Sequence, residues 1–254
     1  MAQILQSDYE TVTAVCERCG ARCVFNRIAD IGHPGPYAGR SVTCLHCSKD
    51  FWISGDLINP AYDLFISSAR EHFEAKRYMV GLASLAQAWE LFFSAFVYSN
   101  YLYHPYFMTT KSLAADLESF NQLNAQLHHA TKNFTFAPLR SVLVTTILKR
   151  VHPETLQMSK IAISRISRER FDKDPRDADI DDFPDAATRS LLKGLKQLRI
   201  GQLRNKVVHH EAYRPRQEEV EKCREEIKLL RDTEHGLRVY SYDKYSVIRA
   251  RRSL

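Results

Sequence analysis

The stretch Gln202-Leu203-Arg204-Asn205-Lys206-Val207-Val208-His209-His210-Glu211 lies towards the C-terminal end of a chain rich in helical patterns. It sets a guanidinium, a carboxamide and an imidazole within about two helical turns. Arginine grips phosphate through two parallel N–H bonds and stays charged, while histidine takes or gives a proton near neutral pH. Those are the parts needed to cleave a phosphodiester without a metal. Pro215 bounds the segment on one side and Gly201 on the other, so the spacing predicts a helix from about Gln202 to Tyr213. Positions 204 and 209 are five apart, which puts them on sides of that helix about 140° apart.

The segments around it are helical too. Ala186 to Leu198 reads as a helix weakened by Gly194, and Arg216 to His235 as a charged one with a seam of Val220, Cys223, Ile227 and Leu230 that stops at Gly236. Beyond it, Leu237 to Leu254 alternates Val239, Tyr240, Tyr242, Tyr245 and Val247 with polar residues and ends Arg249-Ala250-Arg251-Arg252. This basic tail is a short strand, an ordered arm for RNA, or a solvated end.

Further upstream, Asn59-Pro60 is a helix start, and Tyr62, Phe65, Ile66, Ala69 and Phe73 carry the helical period through Ala61 to Tyr78. Met79 to Leu102 is the most apolar stretch and has the length of a membrane span. Gln87 and Glu90 near its middle argue for the central helix of a bundle instead, because a carboxylate is expensive in lipid. On such a helix Glu90 either meets a cation or reaches solvent at the bundle's edge. Ser112 caps a helix through Leu113, Leu117, Phe120, Leu123, Leu127 and Ala130. Pro138 opens another, with Leu139, Val142, Leu143, Ile147 and Leu148 in it and a buried strand as the weaker option for its Val/Thr content, and Pro153 starts a third to about Phe171. His128, His129 and His152 read as surface or capping histidines. The seven aspartates of Asp172 to Asp185 lack the pattern of a calcium loop and read as a mobile acidic loop.

The N-terminal part follows another logic. Cys16-Glu17-Arg18-Cys19-Gly20 and Cys44-Leu45-His46-Cys47 are separated by 24 residues, 20 to 43. Two Cys-x-x-Cys turns form a closed tetrahedral Cys₄ site, and the expected ligands are Cys16, Cys19, Cys44 and Cys47, with Cys23, His33 and His46 as rivals. Thr11 to Val15, Ser41 to Thr43 and Phe51 to Ile53 read as flanking strands, and Gly32 to Pro36 as a turn. The pattern resembles a zinc ribbon. Four thiolates leave zinc no open position, so the ion is structural and activates no water. The expected division is a zinc ribbon over 1–58 and a helical domain with a basic tail over 59–254.

Composition sets the outer limits. With 44% hydrophobic and 26% charged residues the chain is globular, and its excess of 36 basic over 30 acidic residues suits a polyanionic partner. Met1 to Glu10 is not an export signal, so paired cysteines read as metal ligands in a reducing cytoplasm rather than as disulfides. No Gly-rich phosphate loop or Gly-x-Ser-x-Gly elbow supports an NTPase or a serine hydrolase.

The string Arg204-Asn205-x-x-x-His209 resembles the signature of the HEPN superfamily, many of whose members are RNA-cleaving toxins and defence nucleases. The likeness covers residues 60 to 235 in layout, but only Arg204, Asn205 and His209 in motif; His210 also suits the family's spacing. It implies a mainly α, HEPN-like bundle behind the ribbon and an acidic residue, Glu90, paired with Arg204. It further implies a homodimer in which motifs of two subunits face one cleft, RNA as substrate, and an antitoxin or regulatory partner. The implied activity is a metal-independent endoribonuclease giving 2′,3′-cyclic phosphate and 5′-hydroxyl ends, in antiviral defence or a toxin system. The alternative is a non-catalytic scaffold that binds nucleic acid or protein.

Overall fold

The computed structural model describes residues 11–26, 30–32, 39–53, 61–109, 117–168, 171, 175–209 and 213–236. The chain divides into two compact units between Asp63 and Leu64. The expected boundary at 58/59, the Asn59-Pro60 start, the Ser112 cap and the tail from Leu237 all lie outside the described residues.

In the first unit, β1 (Thr11–Val15) pairs antiparallel with β2 (Arg22–Asn26), and β3 (Arg40–Thr43) with β4 (Asp50–Ile53). Alternation decides which side chains enter the core. Val12 faces Phe25, Ala14 faces Cys23 and Val42 faces Phe51, and all six are buried. The Phe25 and Phe51 rings, 6.0 Å apart, join the two hairpins. Arg22 and Asn26 hide strand β2 in the sequence, although its inward Cys23 and Phe25 carry the period of two.

The regular elements that follow among the described residues are helices: α1 (Ala61–Glu74), which crosses into the second unit, α2 (Tyr78–Tyr98), α3 (His104–Thr109), α4 (Leu117–Thr131), α5 (Phe136–Leu148), α6 (Leu156–Arg168), α7 (Asp177–Asp181), α8 (Ala186–Lys196), α9 (Ile200–His209) and α10 (Gln217–Gly236). The apolar α2 is the centre of that unit, packed by α5, α9 and α10. Trp89, Phe93, Leu82 and Leu85 on it are fully buried. Phe93 continues the aromatic contact to Phe136 of α5 at 5.5 Å. By length and composition Tyr78–Tyr106 passes for a membrane span, but 61% of its most apolar window is buried inside the fold. A helix apolar nearly all round finds its partners there among other helices.

Several boundaries differ from expectation, each for a tertiary reason. The first helix ends at Glu74 rather than Tyr78. Lys76, at φ +57°, turns the chain back so that Gly81 sits against the Phe73 ring, where an added Cβ would lie 2.6 Å from it. The central helix widens into a π-helical turn at Ser99–Tyr103, whose Tyr101 carbonyl accepts a bond from the Ser159 hydroxyl. His152 is half-buried rather than on the surface: its Nδ1 lies 3.3 Å from Asn100 Oδ1, and burial, with the nearby His104, holds its pKa below the usual histidine range. His128 and His129 are exposed in the last turn of α4, as expected.

The described part of the acidic segment corrects the expectation of a loose loop. Lys196 binds Asp177 at 2.6 Å and Lys193 binds Asp181 at 2.5 Å, while Ile180 is buried. Asp185 caps α8 by accepting the Thr188 amide at 2.7 Å. The lysines that tie it down come from α8, which is why the run looked unpaired in one dimension.

Candidate functional site

Two constellations stand out, one in each unit. In the first, the ligand atoms of Cys16, Cys19, Cys44 and Cys47 all lie within 4.8 Å of one another. Four sulfurs about 2.3 Å from one tetrahedral ion lie about 3.8 Å apart. Cys16 and Cys47 are separated by 3.8 Å, Cys19 and Cys44 by 3.7 Å. These four residues can therefore hold a metal ion.

The two turns are near copies. Cys16 N donates to Ala21 O at 2.9 Å and Gly20 N to Cys16 O at 2.8 Å; Cys44 N donates to Lys49 O at 2.9 Å and Ser48 N to Cys44 O at 3.0 Å. Each loop closes through a left-handed residue, Gly20 at φ +72° and Ser48 at φ +55°. Amides also point at the sulfurs: Arg18 N at Cys16 Sγ, and both His46 N and Cys47 N at Cys44 Sγ. The Cys47 amide first, then that of His46, hold the Cys44 thiol down at about 6 against the opposing effect of burial.

Of the rivals, Cys23 is buried with its sulfur 3.5 Å from Cys44 Sγ, but it stands outside the four-sulfur group. His46 contributes its amide and its ring is exposed; His33 lies outside the described residues.

In the helical unit a cavity of about 200 Å³ opens between α2, α5 and α9. Glu90, Arg140, Gln202, Arg204 and Asn205 supply its polar walls. Two glutamates cap helices that form it. Thr135, at the N-cap of α5, makes no side-chain cap bond; Glu90 Oε1 accepts the Phe136 amide at 3.2 Å instead. Glu226 of α10 accepts the Arg199 amide at 2.7 Å and the Ile200 amide at 3.2 Å, capping α9. Helix N-termini carry unpaired N–H groups and partial positive charge, which a carboxylate satisfies.

Glu226 also explains why α9 starts at Ile200 rather than Gln202, leaving Gly201 inside the helix. An added Cβ at Gly201 would stand 2.8 Å from the Phe136 ring, so only glycine lets α9 approach α5 this closely. The helix ends at His209, and Tyr213 lies past it with its hydroxyl on Glu219 at 2.7 Å.

Glu90, Arg204 and Asn205, all singled out from the sequence, thus line one cavity. The expected Glu90–Arg204 pair is not formed among the described residues. Glu90 is engaged by Phe136, and Arg204 Nη1 donates to Asn205 Oδ1 at 3.2 Å. His209 closes the same helix; its side chain, and His210 altogether, lie outside the described residues. Arg140, Gln202 and Glu226 were missed. Arg140 sits amid the apolar run of α5, and that misplaced charge was the available signal.

No family model matches this chain, and neither the curated proteins nor the solved structures yield a match.

Proposed function

We propose that this chain is a metal-independent endoribonuclease of HEPN type. One observation carries the reading: Arg204 and Asn205 share a cavity with Glu90, on a helix that ends at His209. A guanidinium, an amide and an imidazole suffice for transesterification of RNA. His209 withdraws the proton of a ribose 2′-hydroxyl, and that oxygen attacks the adjoining 3′-phosphorus. The bond to the 5′-oxygen breaks, and an imidazolium returns a proton to that leaving oxygen. The products are a 2′,3′-cyclic phosphate and a 5′-hydroxyl, with no water consumed. Arg204 neutralises charge growing on the non-bridging oxygens, and Asn205 orients the hydroxyl. Glu90 is a positioning residue, through the Phe136 amide.

Positions five apart on a regular helix lie about 140° apart, so a homodimer presenting two motifs to one RNA strand is part of the proposal. The ion held by the four cysteines is zinc, by their soft thiolate donors, and its role is structural. On the resemblance of the motif, the setting is the cytoplasm, in antiviral defence or a toxin system with a restraining partner.

The test is cleavage of single-stranded and structured RNA in excess EDTA by the intact protein and by folded Arg204→Ala, His209→Ala and His210→Ala variants. Cleavage that survives EDTA and is lost with Arg204 and His209 supports the enzyme. Binding without product in the intact protein supports the non-catalytic scaffold, and cleavage abolished by the chelator in an intact dimer replaces the mechanism with a metal-dependent one.

A further inference from the structure

A fifth sulfur stands beside the four-cysteine group. Cys23 lies on β2 opposite Ala14 of β1, with 1% of its surface exposed. Its Sγ is 3.5 Å from Cys44 Sγ, comparable with the 3.7 Å between Cys19 and Cys44. Sulfurs bound to one tetrahedral ion stand about 3.8 Å apart. Cys19, from the first turn, and Cys23, from the strand that follows it, are therefore both placed to share an ion with Cys44. The other contact of Cys23, to Ala21 O, is long at 3.9 Å, so little is lost when this sulfur turns to an ion.

The four ligands are not equally protected. Cys16 and Cys44 are buried, Cys47 is half-buried and Cys19 is exposed. Amides of the turns point at Cys16 and Cys44, which ties the inner pair to the backbone. Cys19 is the ligand of the four that a reagent in solvent reaches first.

We propose that Cys23 is a reserve ligand, which takes the place of Cys19 on the ion when the exposed thiolate is lost. One metal–sulfur bond replaces another, and the Cys23 thiol gives its proton to solvent. The ion then sits among Cys16, Cys23, Cys44 and Cys47, nearer β2, and still has four thiolates and no position for water. The inference rests on the metal reading of the four cysteines and goes beyond it, since Cys23 is no ligand of the intact site.

The experiment loads the full-length protein and its Cys19→Ala, Cys23→Ala and Cys19→Ala/Cys23→Ala variants with Co²⁺, which occupies tetrahedral thiolate sites and absorbs light. Its near-ultraviolet thiolate-to-cobalt band, read per bound ion, grows with the number of cobalt–sulfur bonds. The intact protein and Cys23→Ala are expected to give the same four-thiolate band, and Cys19→Ala to keep it at full height. The double variant should fall to about three quarters of that height, one thiolate of four being gone, or hold no ion. Cys23→Val, apolar like the buried thiol it replaces, repeats both comparisons without leaving a hole in the ribbon's core.

A band at three quarters in Cys19→Ala, with the exposed His46 ring or water as the fourth donor, overturns the inference. Loss of the ion from that variant overturns it as well. So does a reduced band in both Cys23→Ala and Cys23→Val, which would make Cys23 a resident ligand, and so does full height in the double variant, which would place the fourth sulfur elsewhere. If the intact protein holds no Co²⁺, the metal reading falls together with the inference.

Discussion

Glu226 reaches from α10 to the first turn of α9 and accepts the Arg199 amide at 2.7 Å, so a carboxylate buried among helices holds the start of the helix that carries the motif. Only 8% of this residue is exposed. Burial pushes its pKa up to about 7, against the opposing pull of the Arg199 and Ile200 amides and the charges of Arg199 and Arg140. Cys223 on the same helix feels that burial and that carboxylate as well, and its thiol is pushed up to about 12.

The pH dependence of stability follows. A carboxyl whose folded pKa lies above its unfolded value favours folding while protonated. That contribution is complete below the unfolded pKa near 4.5 and is lost as pH rises through about 7. Chemical denaturation between pH 5 and pH 8 should show a component of about 2–3 kcal/mol declining over this window. Glu226→Gln should remove it; an unchanged pH slope in that variant would mean the group titrates normally.

Gly201→Ala tests how closely α9 must approach α5. Alanine favours a helix by about 1 kcal/mol over glycine on propensity alone. Here its Cβ would meet the Phe136 ring at 2.8 Å, and crowding of a packed core costs about 1–3 kcal/mol. Net destabilisation in urea, with RNA cleavage reduced more than stability, is the expected outcome. A stabilised variant of full activity would show that the ring yields freely.

Glu90→Gln keeps an oxygen for the Phe136 amide but removes the charge at the α5 N-terminus. A loss of about 0.5–1 kcal/mol is expected, together with reduced kcat as the cavity wall shifts. Glu90→Ala should cost more, about 1–2 kcal/mol, because the Phe136 N–H loses its acceptor. Equal stability of all three proteins would remove Glu90 from the support of α5.

The metal site separates ligands from neighbours. Elemental analysis of the intact chain should give one zinc, and Cys44→Ala should lose it. Cys23→Ala should retain it despite a sulfur only 3.5 Å from Cys44. Zinc lost in both variants would make Cys23 a ligand. RNA cleavage should not respond to brief chelator treatment, since four thiolates leave the ion no position for water.

The metal site was readable in one dimension because its chemistry is local. Each Cys-x-x-Cys turn positions its own two sulfurs, and only the meeting of the two turns needed the fold. The α2 and α10 helices were equally readable, α2 from its long apolar run and α10 from the apolar seam of a charged helix. Glu90 drew notice by the same reasoning, as a carboxylate on an apolar helix, although the partner foreseen for it was Arg204 and the structure supplies the Phe136 amide.

What composition and spacing determined was the identity of the parts: four thiolates, a buried central helix, and a motif helix bearing Arg204, Asn205 and His209. Only the tertiary structure decided which of those parts meet. Glu226 lies 27 residues from the amide it caps, Arg140 comes from a different helix than Arg204, and Glu90 sits 46 residues before Phe136. Helical periodicity reports which face of a segment is apolar, but not which segment comes to lie against it. That choice is made by close packing, here by a glycine on α9 that lets it settle onto an aromatic ring of α5.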